Sequence, residues 1–332
     1  MNRLNLFEKS LFALVAILFC LLLSFRPIPD AASANDTVRY VADLHQYCSG
    51  AIEKALVTKN ISYNFFYMVT SPACWVDSDR LFLFEVAAFL PLMFLLFAKW
   101  RNGTFLWACT LLFSVYGLEL MTNAMRQGFA MLLFFGSLAL LHRHRAAAFL
   151  LSALAVAAHT SVLAFIPLLL WIEGSRVNKK TILMIGPVLL LAATITFLTF
   201  QTAIIDWFVL ADELRTIYML IYADELKASF LLFMVAPLYF IYGLRRVFEK
   251  ENISSAESRG ILYSTALLAV SFIFSPYITY RFAIFTVAMQ IFLVTISERH
   301  NQKVGVFALI GLLAHLVVML VISDHFMALF YG

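Results

Sequence analysis

Charge is what this chain has least of. Only 13% of its 332 residues are Asp, Glu, Lys or Arg, against about 25% in an ordinary soluble domain. Glycine (12) and proline (8) are also scarce. The shortage of charge excludes a soluble globule, which must cover much of its exterior with groups that water solvates. It equally excludes a disordered chain, which combines low hydrophobicity with high net charge. Scarce glycine rules out a collagen-like fibre. No Gly-rich phosphate loop, GxGxxG, HExxH or CxxC occurs anywhere, so the usual sequence marks of nucleotide and metal chemistry are missing. With no cytosolic domain to bind ATP or a nucleotide sugar, any chemistry belongs on the outer face. The net charge of +4 comes from short basic clusters beside apolar runs, a topology signal rather than a nucleic-acid surface.

What fills the chain instead is apolar: 63% of residues are hydrophobic, arranged in long runs. Phe89 to Ala98 is one such run, and it does not alternate as a lipid-facing barrel strand would. The expected fold is therefore an all-α polytopic integral membrane protein, a single transmembrane domain over residues 1–332. Spans of about 20 apolar residues fall near 10–25, 81–98, 104–120, 124–141, 146–159, 161–173, 181–200, 229–244, 260–275, 282–297 and 304–322, about 11 transmembrane helices in all, within a range of 10–12. Phe105 to Leu141 is too long for one crossing, since it would make roughly 55 Å of helix at 1.5 Å per residue. The break belongs at Met121-Thr122-Asn123, the most polar point. Residues 146–173 read either as one long tilted helix or, preferably, as a hairpin turning at His159-Thr160-Ser161, because both flanks are basic.

With the N-terminus inside, 15 of the 24 Lys and Arg residues lie on the cytoplasmic side, and 14 of the 20 Asp and Glu residues lie outside. Residues 1–34 are expected to hold an uncleaved first span rather than a removed signal peptide, because Arg26 and two prolines separate the apolar core from Ala32-Ser33-Ala34. Two long outer segments, 26–80 and 201–228, are rich in aromatics and read as periplasmic interfacial segments. Cys48 and Cys74 share the first. An oxidising compartment permits a disulfide between them; two free thiols are the other possibility. Cys20 and Cys109 sit in apolar spans and read as inert core residues.

Ionisable groups in or near spans are costly and so are functional candidates. Several converge at one depth. Glu119, Asn123, Arg126 and Gln127 surround the break after the third span, and 123, 126 and 127 share a helix face. Asn123 suits an N-cap, which would aim a helix N-terminus outward beside Arg126 and make an anion site. Each group also has a bland reading: Arg126 and Arg281 as snorkelling anchors, His159 as a satisfied structural histidine. Asp36, Arg39 and Tyr40 lie just beyond the first span, where a solvated loop would hold similar residues. Glu85 is four residues into its span and free to pair with an arginine. Two arginines, a histidine and carboxylates at one level suit a lipid-borne polyanion, a diphosphate above all.

The stretch Asn123-Ala124-Met125-Arg126-Gln127-Gly128-Phe129-Ala130 resembles the N-x-x-R-Q-x-x-A signature of EpsG-like proteins, which group with Wzy-type polysaccharide polymerases. In that family an apolar helix, a basic turn (here His142 to Arg145), a second apolar helix and H-x-S follow; His159-Thr160-Ser161 stands there, 33 residues after Arg126. Upstream, Arg26 and Asp36-Thr37-Val38-Arg39-Tyr40 fit the family's Arg and D-x-x-x-Y, although Ala34-Asn35 replaces the usual glycine. Arg281 opens a late span, as an arginine does in the family. The resemblance implies a glycosyltransferase akin to the GT-C class, in the bacterial inner membrane with its active site periplasmic. It would move a growing glycan from one undecaprenyl diphosphate onto a new lipid-linked repeat unit, as O-antigen or related surface polysaccharide. It implies no cofactor and no metal, with membrane lipids, the lipid-linked glycan and a chain-length regulator as partners. On this reading Asp36, Glu119 and His159 are catalytic, Asn123, Arg126, Gln127 and Arg281 hold the diphosphate, and Arg39 and Tyr40 meet the acceptor sugar. The alternatives are an O-antigen ligase and a non-enzymatic lipid-linked oligosaccharide flippase.

Overall fold

The computed structural model describes residues 3–28, 36–49, 61–76, 78–141, 143–173, 276–296 and 302–322, with a few single positions between 260 and 268. The expected spans at 181–200 and 229–244, the outer segment 201–228 and most of 260–275 lie outside the described residues. Every described element is helical: α1 (Arg3–Ser24), α2 (Asp36–Cys48), α3 (Ile61–Thr70), α4 (Pro72–Val76), α5 (Asp79–Phe97), α6 (Thr104–Leu112), α7 (Val115–Thr122), α8 (Met125–Leu140), α9 (Arg145–Ala158), a 3-10 turn (Thr160–Phe165), α10 (Ile166–Glu173), α11 (Pro276–Ile296) and α12 (Gln302–Ile322). Two of them, Leu4–Ser24 and Asp79–Phe97, are long and apolar enough to cross a membrane, and the bent pair Thr104–Leu112 and Val115–Thr122 makes a third if taken as one span.

In lipid, helices associate through close packing and polar ties rather than through the hydrophobic effect. The helices here carry the marks of that. α1 buries Phe12, Ala16, Cys20 and Leu23 along one stripe and leaves Leu14, Leu18, Leu22 and Phe25 facing outward. Phe12 meets Phe94 of α5 and Trp100. α8 and α9 pair side by side, with Ser137 Oγ and Ser152 Oγ 2.7 Å apart at their seam. Phe165 of the 3-10 turn stacks on Phe285 of α11 and meets Phe134 of α8, while Phe135 stacks on Phe292. Phe165 thus lies deeper along α11 than Arg281 does, so the chain turns back at His159, which favours the hairpin over one continuous helix.

The expected span at 104–120 carries a bend at Phe113–Ser114, where α6 and α7 meet at 64°. Ser114 makes the corner. Its Oγ donates to Leu111 O (2.8 Å) and accepts from Gly117 N–H (3.0 Å), so it ends one helix and caps the next. Gly117 makes room: a Cβ there would stand 2.0 Å from Leu111 O. A second close crossing follows the break at Asn123–Ala124, where a Cβ on Gly128 would stand 2.8 Å from Leu120 O.

The two ends of α1 are tied differently. Near its start, the Glu8 carboxylate accepts from Gly103 N–H (3.0 Å) and Phe105 N–H (3.3 Å), capping α6 with a negative charge where the helix dipole favours one. At its other end, Arg26 Nη1 donates to Leu23 O (2.9 Å) and Arg80 Nη1 donates to Ser24 O (2.9 Å) and Arg26 O (2.6 Å). Two cations thus meet the orphan carbonyls of a helix C-terminus.

Candidate functional site

The candidate residues gather beyond the Arg26 end of α1. The local sequence brings α2 there. Its buried face is Thr37, Tyr40, Val41 and Leu44, a helical repeat of three and four, and its start is fastened to the end of α7. Thr37 Oγ1 donates to Thr122 O (2.6 Å), and Arg26 Nη2 donates to the same carbonyl (3.0 Å) and to Thr37 Oγ1 (3.2 Å). Burial and the charge of Arg80 lower the Arg26 guanidinium to about 10, which still leaves it a cation at neutral pH. At the far end of α2, Cys48 and Cys74 are joined as a disulfide, closing the question of free thiols, and His45 Nε2 lies 2.6 Å from Asp79 Oδ1 of α5. Cys20 and Cys109 are buried and unpaired with each other.

Asn123 differs from its expected role. The residue that caps α8 is Ala124, without a side-chain bond; Asn123 closes α7 instead. The reason is that its amide is already engaged. Oδ1 accepts from Asp36 N–H (3.0 Å), satisfying one orphan donor at the start of α2, and Nδ2 donates to Glu119 Oε1 (2.6 Å). Glu119 is fully buried at this junction.

Asp36 is the hub of the exposed side. Its Oδ1 lies 3.1 Å from Arg39 Nη2 and its Oδ2 lies 3.5 Å from Arg281 Nη2. Arg281 lies in α11, five residues after its first residue Pro276, and opens its apolar part, Arg281–Ile296. Gln127 Nε2 donates to Arg281 O (2.9 Å), so α8 holds the backbone that carries this arginine. Arg126 is aimed by Tyr40: its Nε donates to Tyr40 OH (3.0 Å), and the guanidinium carbons of Arg126 and Arg39 lie 5.7 Å and 5.5 Å from the Tyr40 ring centre. Cations over an aromatic face are attracted to it. Tyr40 itself is 3% exposed, so it meets the arginines rather than open solvent. His159 closes the group. It caps the 3-10 turn whose Phe165 packs on Phe282 and Phe285 of α11, and its Nδ1 lies 2.7 Å from Ser161 Oγ.

Asp36, Arg39, Tyr40, Arg126, Gln127, His159 and Arg281 are thus brought together from α2, α8, α11 and the turn before the 3-10 segment, with Glu119 and Asn123 buried just beneath. Glu85 Oε2 is buried without a hydrogen-bond partner among the described residues. Reading the sequence did not find Thr37 or Arg80, which work through backbone carbonyls. A hydroxyl and a cation close to a helix end were the available signals. Among the described residues no three of His, Cys, Asp and Glu cluster so as to hold a metal ion. The arrangement offers cationic and N–H donors around one carboxylate, suited to a phosphate-bearing ligand and a proton acceptor beside it.

Searches of curated proteins and of solved structures found no match. The family comparison is decisive by its extent, for the EpsG family model matches residues 9–331, nearly the whole chain, and the protein is a member of the EpsG family.

Proposed function

We propose that the protein polymerises undecaprenyl-diphosphate-linked repeat units of a surface polysaccharide, O-antigen or a related glycan, on the periplasmic face of the bacterial inner membrane. Family membership fits a polysaccharide polymerase in general. The observation that carries the finer reading is Asp36 set between Arg39 and Arg281, with Arg126 on Tyr40 of the same helix as Asp36 and the turn after His159 packed on the helix of Arg281. Those are the groups a transfer from a lipid diphosphate needs, because the leaving group is already activated and fixed cations can balance its charge.

In the reaction we assign, Arg126 and Arg281 hold the donor diphosphate. The acceptor hydroxyl oxygen attacks the anomeric carbon of the growing glycan. The bond from that carbon to the phosphate oxygen breaks, and its electron pair leaves with undecaprenyl diphosphate. The hydroxyl proton passes to Asp36. Glu119 is the second carboxylate of this site; its burial and its bond to Asn123 suit a supporting role under Asp36. Gln127 and Asn123 set the backbone of Arg281 and Asp36 in place, and Tyr40 orients Arg126, with Arg39 nearest the acceptor sugar. No metal is assigned to any step. The exposed Trp75 and Val76 of α4 would lie among lipid headgroups, where tryptophan favours the interface. A chain-length regulator is the expected protein partner.

The test is the purified full-length protein with its lipid-linked repeat unit, read as a ladder of products on a gel. A ladder that disappears with Arg126→Ala supports the assignment; no ladder from the wild type overturns it. Lipopolysaccharide from a null strain sorts the alternatives: single-repeat caps for a polymerase, bare core for a ligase, no exported repeat for a flippase.

A further inference from the structure

The geometry points to His159 as a neutral hydrogen-bond donor to a diphosphate oxygen, with its tautomer set by Ser161, rather than as an acid or base. What it binds rests on the polymerase reading above; which nitrogen carries the hydrogen does not.

A backbone N–H can only donate. Ser161 N–H donates to His159 Nδ1 (3.3 Å), and Ser161 Oγ lies 2.7 Å from the same nitrogen. Nδ1 therefore presents its lone pair, and the hydroxyl donates to it as well. A neutral imidazole carries one N–H, so the hydrogen is on Nε2. The arrangement is built into the backbone. His159 is extended (φ −156°, ψ 121°), ends α9 and caps the 3-10 turn Thr160–Phe165 with this same ring nitrogen. The bond that starts the turn is the bond that selects the tautomer.

The surroundings say what a ligand at this ring would meet. The 3-10 turn that His159 caps packs between α8 and α11, its Phe165 meeting Phe134, Phe282 and Phe285. Those two helices carry Arg126 and Arg281 and are tied by Gln127 Nε2 donating to Arg281 O. Asp36 is paired with Arg281 and Arg39. A ring N–H on the turn packed between the helices that carry two guanidinium groups adds to a set of donors, which matches the oxygens of a diphosphate. Nε2 in this tautomer has no lone pair to take a proton from the acceptor hydroxyl, so that proton goes to Asp36. As the phosphate oxygen leaves with its electron pair, Nε2–H stabilises it and keeps its hydrogen.

Two substitutions separate the nitrogens. His159→Gln places an amide N–H near the Nε2 position, and His159→Asn places it near Nδ1. Asn is also the better N-cap, so any folding bias runs against the expected order. The full-length protein in detergent is titrated with farnesyl diphosphate, and polymerisation is followed from about pH 5.5 to about pH 8.5, the range in which a histidine base would show itself. H159Q is expected to bind within about threefold of wild type and H159N about tenfold more weakly, the loss of one charge-assisted hydrogen bond. The ratio of H159Q to wild-type polymerisation is expected to be flat with pH, and S161A to weaken binding less than H159N. Equal impairment of H159Q and H159N, or a ratio that titrates, overturns the proposal. Should the wild type make no ladder yet the binding order hold, the polymerase reading falls and the donor assignment stands. A ladder lost with Arg126→Ala but with H159Q no better than H159N gives the converse.

Discussion

Asp36 Oδ2 lies 3.5 Å from Arg281 Nη2, joining a helix near the start of the chain to one near its end. The same carboxylate holds Arg39 at 3.1 Å. Replacing it with asparagine keeps the shape and removes both the proton acceptor and the counter-charge. Asp36→Asn is expected to cut polymer formation by about 10²–10⁴-fold, the range for loss of a general base. Asp36→Glu is expected to recover part of it. The measurement is the product ladder at matched protein level in membranes, and wild-type ladders from Asp36→Asn would remove Asp36 from the chemistry.

Arg126 and Tyr40 form a second pair with a graded outcome. Tyr40→Phe removes only the hydroxyl that accepts from Arg126 Nε. It is expected to weaken diphosphate binding by about five- to tenfold, since one hydrogen bond contributes about 1 kcal/mol. Arg126→Lys keeps a charge but loses the planar fork that Tyr40 orients, and should fall well below Tyr40→Phe. An Arg126→Lys variant that binds farnesyl diphosphate like wild type would show that charge alone suffices.

Gly117 gives a prediction about folding. A methyl group there meets Leu111 O at 2.0 Å, a backbone atom that cannot move aside as a side chain can. Gly117→Ala is expected to destabilise by at least about 3 kcal/mol, the upper range for overpacking. Ser114→Ala removes the corner hydroxyl and is expected to cost about 1 kcal/mol, as an N-cap loss does. Thermal unfolding in detergent, followed by size-exclusion, ranks the two; the reverse ranking would contradict the crossing geometry.

The Cys48–Cys74 bridge fastens the far end of α2 to α4. Cys48→Ser and the double serine variant are expected to lose equal stability, about 2–4 kcal/mol. Both should migrate on a non-reducing gel like the reduced wild type. A single variant much less stable than the double would point to a free thiol, not the lost bridge, as the cause.

Glu8 is the control at the opposite end. Its carboxylate caps α6 and lies far along α1 from the site. Glu8→Gln is expected to lower the unfolding temperature while leaving polymerisation per folded molecule near wild type. Polymerisation lost in proportion to that of Asp36→Asn would mean the two ends are coupled.

How much of this was legible beforehand differs by residue. Arg126, His159 and Arg281 could be placed together because each sits at a span end, and the parity of crossings fixes which ends meet. The pairing of Cys48 with Cys74 was open on sequence because spacing along a polar stretch sets no distance in space. The bend at Phe113–Ser114 was hidden for a physical reason. An unbroken apolar run says that lipid surrounds a helix, not that the helix is straight. The corner depends on a hydroxyl and a missing Cβ, which leave hydropathy almost unchanged. Asn123 was assigned to the wrong helix end because a capping side chain has several backbone donors within reach. The one it satisfies, Asp36 N–H, comes from a distant part of the chain.

Arg26 is 6% exposed and directs its donors to two carbonyls and a hydroxyl. A genetic screen for lost polymer would therefore score it beside Arg126 and Arg281, and three arginines would look like one binding cluster. The first would fail by letting α2 drift, carrying Asp36 and Tyr40 with it. Only a ligand titration on protein that has kept its fold would tell a fastening from a contact.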